Sequence, residues 1–315
     1  MTATMTAPGP VLVGVDGSTQ NASAVAWAAA EASASCATAP LVLVHDVETA
    51  GPSAGRAILE RATTEASSRY PQLTPSSELV AGGPAATLSA AAHTWERALE
   101  RAPGTALVVV GRRGQGANRR ISLGRTARTL THQDGPALVV VPDGWTQELV
   151  LPDAPIVVDV GTLSSATVAA PDSQRTSTDR VEQAGQAGQA GQPDQAAQAE
   201  QADRALAFAV ARALRNGHRV LAVASWSVPV SVAGQARAIR EVWAEHADRA
   251  RQVLEDLLAP WRTLYPEVLL TGVATDRSPV LALLAHAEGV ELLVMPRGPR
   301  ACAVMEYADG PVALV

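Results

Sequence analysis

The chain of 315 residues contains no lysine, and all 25 of its basic residues are arginines. A phosphate-binding loop of the GxxxxGK[ST] type is therefore excluded, because that loop requires a lysine. Aromatic residues make up only 3% of the sequence, whereas hydrophobic residues make up 47%. We therefore expect cores that are built from Ala, Val and Leu rather than from large rings.

Cysteine is also scarce, since Cys36 and Cys302 are the two in the chain and lie far apart. No CxxC motif or Cys/His cluster is present, so neither a zinc site nor a disulfide framework is indicated. The N-terminus lacks the basic and apolar regions of a signal peptide, and no apolar run reaches the roughly 18 residues of a membrane span. These features predict a soluble, cytoplasmic protein that contacts no membrane.

Short apolar segments alternate with helical patterns through the first half of the chain. The predicted strands are residues 10–16, 41–47, 76–82, 106–111 and 137–142. The predicted helices are residues 19–35, 54–69, 84–102 and 122–133. Such alternation is typical of a parallel sheet with helices on both faces.

The second half repeats this pattern: APIVVDV (154–160) resembles PVLVGVD (10–16), and the terminal ADGPVALV resembles DGPALVVV (134–141). Its further predicted elements are strands 219–226, 267–274 and 290–298 and helices 203–215, 235–259 and 279–288. We predict two tandem doubly wound, mostly parallel five-stranded sheets with helices on both faces, in domains 1–146 and 152–315. A Gln/Ala/Gly-rich insertion at about 171–200 is predicted to be a disordered loop.

Glycine and arginine are concentrated after the fourth strand, in GRRGQGANRRISLGRT (111–126). In an open parallel sheet, ligands bind beyond the carboxyl ends of the strands where the strand order reverses. If the first and fourth strands flank that point, Asp16 and the glycine loop meet there. Glycine N–H groups can cradle an anion, and Gly124 lies near a helix start, which favours phosphate. The pattern predicts a nucleotide site with the ribose near Asp16 and the phosphates near Gly111, Gly114 and Gly124.

The segments VLVGVDGS (11–18), LVLVHDV (41–47), GRRGQGANRRISLGRTA (111–127) and GPALVVVP (135–142) together resemble the universal stress protein family, in its tandem two-domain form. ATP-binding members carry G-x2-G-x9-G followed by Ser or Thr, and Gly111, Gly114 and Gly124 match that spacing. The resemblance implies a Rossmann-like fold of the adenine nucleotide alpha hydrolase type. It also implies ATP as the ligand, with Mg²⁺ as an optional companion.

Carried over residue by residue, the resemblance makes Asp16 the adenosine-contacting carboxylate and Asp46 a backbone contact to adenine. The phosphate loop then includes Gly111, Arg112, Gly114, Gly124, Arg125 and Thr126. The family's Ser or Thr after the last glycine is replaced by Arg125, with Thr126 one position later. Arg125 either adds a charge-assisted bond to phosphate or fills the pocket with its bulk.

The second half departs further from the family pattern, because Gly161 stands where the first half has Asp16 and Gly298 alone remains of the loop. Fewer than fifteen residues separate Gly298 from the last strand, which we expect to be too few for the glycine loop and its helix. We predict that this half has lost the site. The resemblance implies that its last strand, 311–315, pairs with 137–142 as an intrachain pseudo-dimer, and a homodimer of whole chains stays open.

The predicted function is an ATP-binding regulatory protein of the stress response that acts on a protein partner the sequence does not identify. It is not expected to be an enzyme beyond slow ATP hydrolysis. A scaffold that has lost nucleotide binding in both halves is the alternative, and a nucleotidyl or phosphoryl transferase is a third reading. The arginine cluster also fits a solvated rim. Nucleic-acid binding is opposed by the formal net charge of -6.

Overall fold

The computed structural model describes residues 9–35, 39–114, 123–151, 153–163, 192–227 and 236–315. The elements of the first half are β1 (Val11–Gly14), α1 (Ala22–Ala34), β2 (Leu41–Asp46), α2 (Val47–Ala50), α3 (Pro52–Arg69), β3 (Ser76–Val80), α4 (Pro84–Ala98), β4 (Leu107–Gly111), α5 (Arg125–Thr131) and β5 (Ala137–Val141). Each strand predicted in this half is present, and its bounds differ from the prediction by one or two residues.

The second half repeats the order of strands and helices. Its elements are β6 (Ile156–Leu163), α6 (Gln192–Asn216), β7 (Val220–Trp226), α7 (Ala236–Leu264), β8 (Leu270–Thr275), α8 (Pro279–Leu284), β9 (Leu292–Met295), α9 (Pro299–Tyr307) and β10 (Val312–Leu314). None of the helices in the described part of the chain combines the length and apolar character needed to cross a bilayer.

The ten strands of the described residues belong to one sheet, in the order β3-β2-β1-β4-β5-β10-β9-β6-β7-β8. Within each half the strands pair in parallel, while β5 and β10 pair antiparallel, with Ala313 opposite Val139. The pairing within one chain was predicted, and it joins the two five-stranded sheets into one continuous ten-stranded sheet. The joining removes one exposed edge from each half.

Two apolar layers cover the faces of the sheet. Helices α1, α3, α6 and α7 pack on one face, and α4, α5, α8 and α9 pack on the other. Alanine, valine and leucine dominate both layers. Successive side chains of a strand point to opposite faces, so the continuously apolar strands fit a sheet that is buried on both sides.

Helix α6 begins earlier than the sequence predicted. Residues 192–200, expected to be part of a disordered loop, form the first turns of α6, since Ala, Gln and Glu all favour helix. The remainder of the insertion, 171–191, lies outside the described residues. Helix α9 begins at Pro299 directly after Gly298, so this segment holds a helix but not a glycine loop and a helix together, as predicted.

A buried ion-pair network ties α1 of the first half to the second half. Arg212 of α6 contacts Glu31 of α1 and donates from Nη2 to Glu291 Oε1 at 2.7 Å. Its guanidinium also lies 4.9 Å from the centre of the Trp27 ring. Only 4% of the Arg212 side chain is exposed, and burial lowers its pKa. Glu31 also pairs with Arg215, and Glu291 lies 3.7 Å from His218, so Arg212 is the cation that the two carboxylates share.

We predict that Arg212→Met lowers the free energy of unfolding by about 3–5 kcal/mol, because it leaves buried Glu31 and Glu291 without their shared cation. Equilibrium urea unfolding measures this loss. The control is Arg251→Ala, which breaks an exposed ion pair with Asp248 and should cost less than about 1 kcal/mol. Equal losses of unfolding free energy in the two variants would contradict the assignment of Arg212 as the main electrostatic link between α1 and the second half.

Candidate functional site

A cavity of about 520 Å³ opens at the carboxyl ends of β1 and β4, where the strand order reverses. Its volume falls within the range of small-molecule sites. Seven of the eight predicted site residues line it: Asp16, Asp46, Gly111, Gly114, Gly124, Arg125 and Thr126. The fold therefore brings together residues that are more than one hundred positions apart in the sequence.

Asp16 is held in place by the turn that follows β1. Its Oδ1 accepts hydrogen bonds from the backbone N–H of Ser18 at 2.9 Å and from the Ser18 hydroxyl at 2.7 Å. Its other oxygen, Oδ2, faces Gly114, where an added Cβ would lie only 2.3 Å away. Glycine at position 114 is therefore what allows the β4 loop to approach the carboxylate of Asp16.

The two ends of the glycine loop are joined by backbone contacts. Gly124 donates its N–H to the carbonyl oxygen of Arg112 at 2.8 Å. A Cβ at Gly124 would lie 3.2 Å from that same oxygen, which leaves little room for a side chain. Gly116, Arg119 and Arg120, which belong to the predicted loop, lie outside the described residues.

Asp46 lies at the end of β2, and its carboxylate caps the helix that follows. Its Oδ1 accepts from the backbone N–H of Glu48 at 3.0 Å and so caps α2. The Asp46 residue is 5% exposed, and its Oδ2 has no hydrogen-bond partner among the described residues. This placement favours a backbone contact to a ligand over a contact from the carboxylate.

Arg112 is the predicted site residue that does not line the cavity. Its guanidinium turns to the opposite side and donates to the carbonyl oxygens of Glu306 and Ala308. Arg112 directly follows Gly111, the last residue of β4, so its contacts with the end of α9 set the direction of its side chain. The prediction that the Arg112 side chain belongs to the phosphate loop is therefore wrong.

Arg113 takes the place that was predicted for Arg112, and the sequence analysis missed it. The half-buried Arg113 lines the cavity and forms an ion pair with Asp143, just after β5. Asn21 was also missed: it lines the cavity and donates to the carbonyl oxygen of Gly14 at 2.8 Å, which holds the end of β1.

Apolar and cationic groups line different parts of the cavity. Val15, Val44 and Leu88 provide apolar walls suited to a flat ring, while Arg113 and Arg125 provide positive charge. Arg125 is exposed and lies in the wall of an open cavity. Among the described residues, no three His, Cys, Asp or Glu side chains cluster in a way that could hold a metal ion. The lining thus suits an anionic ligand with a planar ring.

The equivalent place in the second half is occupied by an ion pair. Strand register equates Val11 with Ile156, and therefore Gly14 with Asp159. Asp159 is 2% exposed, its Oδ1 accepts from the Gly161 N–H at 2.9 Å, and its Oδ2 lies 3.7 Å from Arg300 Nη2. A carboxylate therefore stands where the first half has a glycine, and an arginine at the start of α9 reaches over it.

Burial raises the pKa of Asp159, and the Arg300 guanidinium only partly opposes this. A raised folded-state pKa means that the folded chain binds the proton more tightly, so stability falls as pH rises above the ordinary carboxyl range. We predict that Asp159→Asn raises the free energy of unfolding at pH 7.5 relative to the unsubstituted chain. The difference should shrink toward pH 4.

Urea unfolding at the two pH values tests this prediction, with Asp248→Asn, an exposed carboxylate, as the control. The control should show little change at either pH. A loss of stability in Asp159→Asn at pH 7.5 would mean that the attraction to Arg300 outweighs the cost of burial.

Comparison with known proteins places these features in a wider context. The family model described as "Universal stress protein family" matches residues 9–141. A curated relative from Mycolicibacterium smegmatis, named as a universal stress protein, is 27% identical over 305 residues, which cover 90% of this chain and 85% of the relative.

Two solved structures share the fold over nearly the whole chain. One is a universal stress protein from Archaeoglobus fulgidus, with a TM-score of 0.58, 12% identity and coverage of 98% of this chain and 96% of that one. The other is a putative universal stress protein from Pseudomonas aeruginosa, with a TM-score of 0.54, 12% identity and coverage of 99% and 94%. At these identities the likeness shows the fold alone.

Proposed function

We propose that this chain, which belongs to the universal stress protein family, binds an adenine nucleotide, ATP, in the cavity of its first half. It then acts as a nucleotide-dependent regulator in a stress response. The observation that carries the proposal is the convergence of Asp16, Gly114 and Gly124 on one cavity at the strand switch point. These residues come from two loops that are far apart in the sequence.

In this proposal each part of the lining contacts one part of the nucleotide. Asp16, already oriented by Ser18, accepts hydrogen bonds from the ribose hydroxyls. The purine ring lies against Val15, Val44 and Leu88, in reach of the backbone at Asp46.

The triphosphate lies along Gly114 and Gly124, with Arg113 and Arg125 compensating its charge. Mg²⁺, where it accompanies ATP, would be held chiefly by the phosphate oxygens.

Binding rather than rapid turnover is the proposed activity. Phosphoryl transfer relies on metal-bound phosphates and a positioned attacking water. The carboxylates nearest the proposed site already have other partners: Asp16 accepts from Ser18, and Asp46 caps α2. We therefore propose at most slow ATP hydrolysis, with the bound nucleotide itself acting as the signal to a protein partner.

A scaffold without nucleotide is the second candidate, and the Asp159–Arg300 pair favours it for the second half. In that half, the chain's own side chains occupy the place that corresponds to the cavity. The first half keeps glycine at position 14, so the scaffold function would require Arg125 to block the first cavity as well.

Calorimetric titration of the whole chain with ATP and Mg²⁺ separates these candidates. We expect saturable binding near one site per chain. Asp16→Ala removes the proposed ribose acceptor, and Gly114→Ala drives a methyl group against Asp16, so each should weaken binding by at least about a hundredfold.

The matched control is Gly135→Ala, because a Cβ at Gly135 meets nothing within 4 Å. This variant should bind ATP as the unsubstituted chain does. Absence of binding at millimolar ATP in the unsubstituted chain would overturn the nucleotide proposal and leave the scaffold.

Arg125 gives a further prediction, because it lines an open cavity and is itself exposed. We expect Arg125→Ser to weaken ATP binding by about tenfold, the size of one charge-assisted hydrogen bond. Adenosine binding should not change. Titrations with both ligands measure the difference, and tighter ATP binding in the variant would mean that the arginine blocks the phosphate.

A further inference from the structure

Two arginines at equivalent places reach across the boundary between the halves. Leu107 pairs with Val11 in the first half, and Leu292 pairs with Ile156 in the second, so the two leucines correspond. Counting forward equally from each gives Arg112 after β4 and Arg297 after β9. The two arginines are therefore related by the approximate twofold symmetry of the sheet.

Each arginine donates to backbone carbonyl oxygens at the end of a helix in the other half. Arg112 Nη1 donates to Glu306 at 3.3 Å and to Ala308 at 3.0 Å, at the end of α9. Arg297 Nη1 donates to Leu130 at 2.7 Å, near the end of α5, and its Nη2 donates to the carbonyl oxygen of Pro136. Carbonyl groups at helix ends lack intrahelical partners, and a cation suits them.

The side chains of Arg112 and Arg297 make symmetric contacts, but their backbone groups do not. The N–H of Arg112 donates to Val141 at 2.7 Å, and its carbonyl oxygen accepts from Gly124 at 2.8 Å. Arg112 therefore connects Gly124, just before α5, to the ends of β4 and β5. The N–H of Arg297 donates to Val315 at 3.3 Å, but the chain continues directly into α9 without a loop of this kind.

We propose that Arg112 is a positioning residue for the nucleotide site, through which the second half holds Gly124 and the start of α5 in place. This inference rests on the proposed function for its effect on affinity, but not for its effect on the loop. The second half, which has the Asp159–Arg300 pair at the equivalent place, then contributes to the site of the first half. Side-chain contacts with α9 orient Arg112, and the carbonyl oxygen of Arg112 orients Gly124.

Hydrogen exchange on the whole chain without ligand tests the loop directly, by mass spectrometry of peptides covering residues 124–131. In Arg112→Ala, we expect the amide of Gly124 and its neighbours to exchange about tenfold faster than in the unsubstituted chain. Arg297→Ala is the matched control, since it removes the symmetry-related contacts and leaves the side-chain contacts of Arg112 with α9 in place. Its Gly124 amide should exchange within about twofold of the unsubstituted rate.

ATP titration of the same variants tests the effect on affinity. Arg112→Ala should raise the ATP dissociation constant by about tenfold, while Arg297→Ala should change it by less than about twofold, at similar losses of melting temperature. If Arg112→Ala does not fold, Arg112→Lys keeps one donor and should give a smaller shift in the same direction.

Equal exchange at Gly124 in the two alanine variants would overturn the positioning role. If the unsubstituted chain fails to bind ATP, the proposed function fails, and the exchange measurement still decides the role of Arg112. Faster exchange in Arg112→Ala together with unchanged ATP affinity would refute the link between the second half and the site.

Discussion

The antiparallel ladder between β5 and β10 is the interaction on which the rest of the structure depends. It sets Val139 opposite Ala313 and turns two parallel five-stranded halves into one sheet. Because the ladder relates the halves by an approximate twofold axis, it also places α5 beside α9 and each post-strand arginine beside the opposite helix end. Main-chain hydrogen bonds of this kind bury both inner edges and need no particular side chain. The second half can therefore change its side chains freely and still complete the sheet.

The two halves carry different residues at equivalent positions after their first strands. In the first, Gly14 and the glycine loop leave a cavity beside Asp16. In the second, Asp159 replaces the glycine, Gly161 replaces the carboxylate, and Arg300 forms an ion pair with Asp159. The contact of Arg112 with α9 shows that the two halves still meet directly beside the glycine loop.

Much of this arrangement could be predicted from the sequence, because the strands are short, apolar and interrupted by helical patterns. That order predicted the parallel sheet, and a switch point between β1 and β4 was the condition for the cavity position of Asp16 and Gly114. The pairing of the last strands came from the resemblance to the family. The distinction between Arg112 and Arg113 did not follow. It depends on the contacts of Arg112 with the end of α9, and no helix was predicted between Gly298 and the last strand. The role of Asp159 was also overlooked, since only the strand register shows that it is the equivalent of Gly14 in the second half.

A crystal structure of the chain grown with ATP and Mg²⁺ tests the central claim most directly. The account predicts one nucleotide per chain, in the cavity of the first half, with its ribose at Asp16 and its phosphates at Gly114 and Gly124. The space between β6 and α9 should still hold the Asp159–Arg300 pair. An empty first cavity at saturating ATP, or nucleotide bound in the second half, would contradict the account.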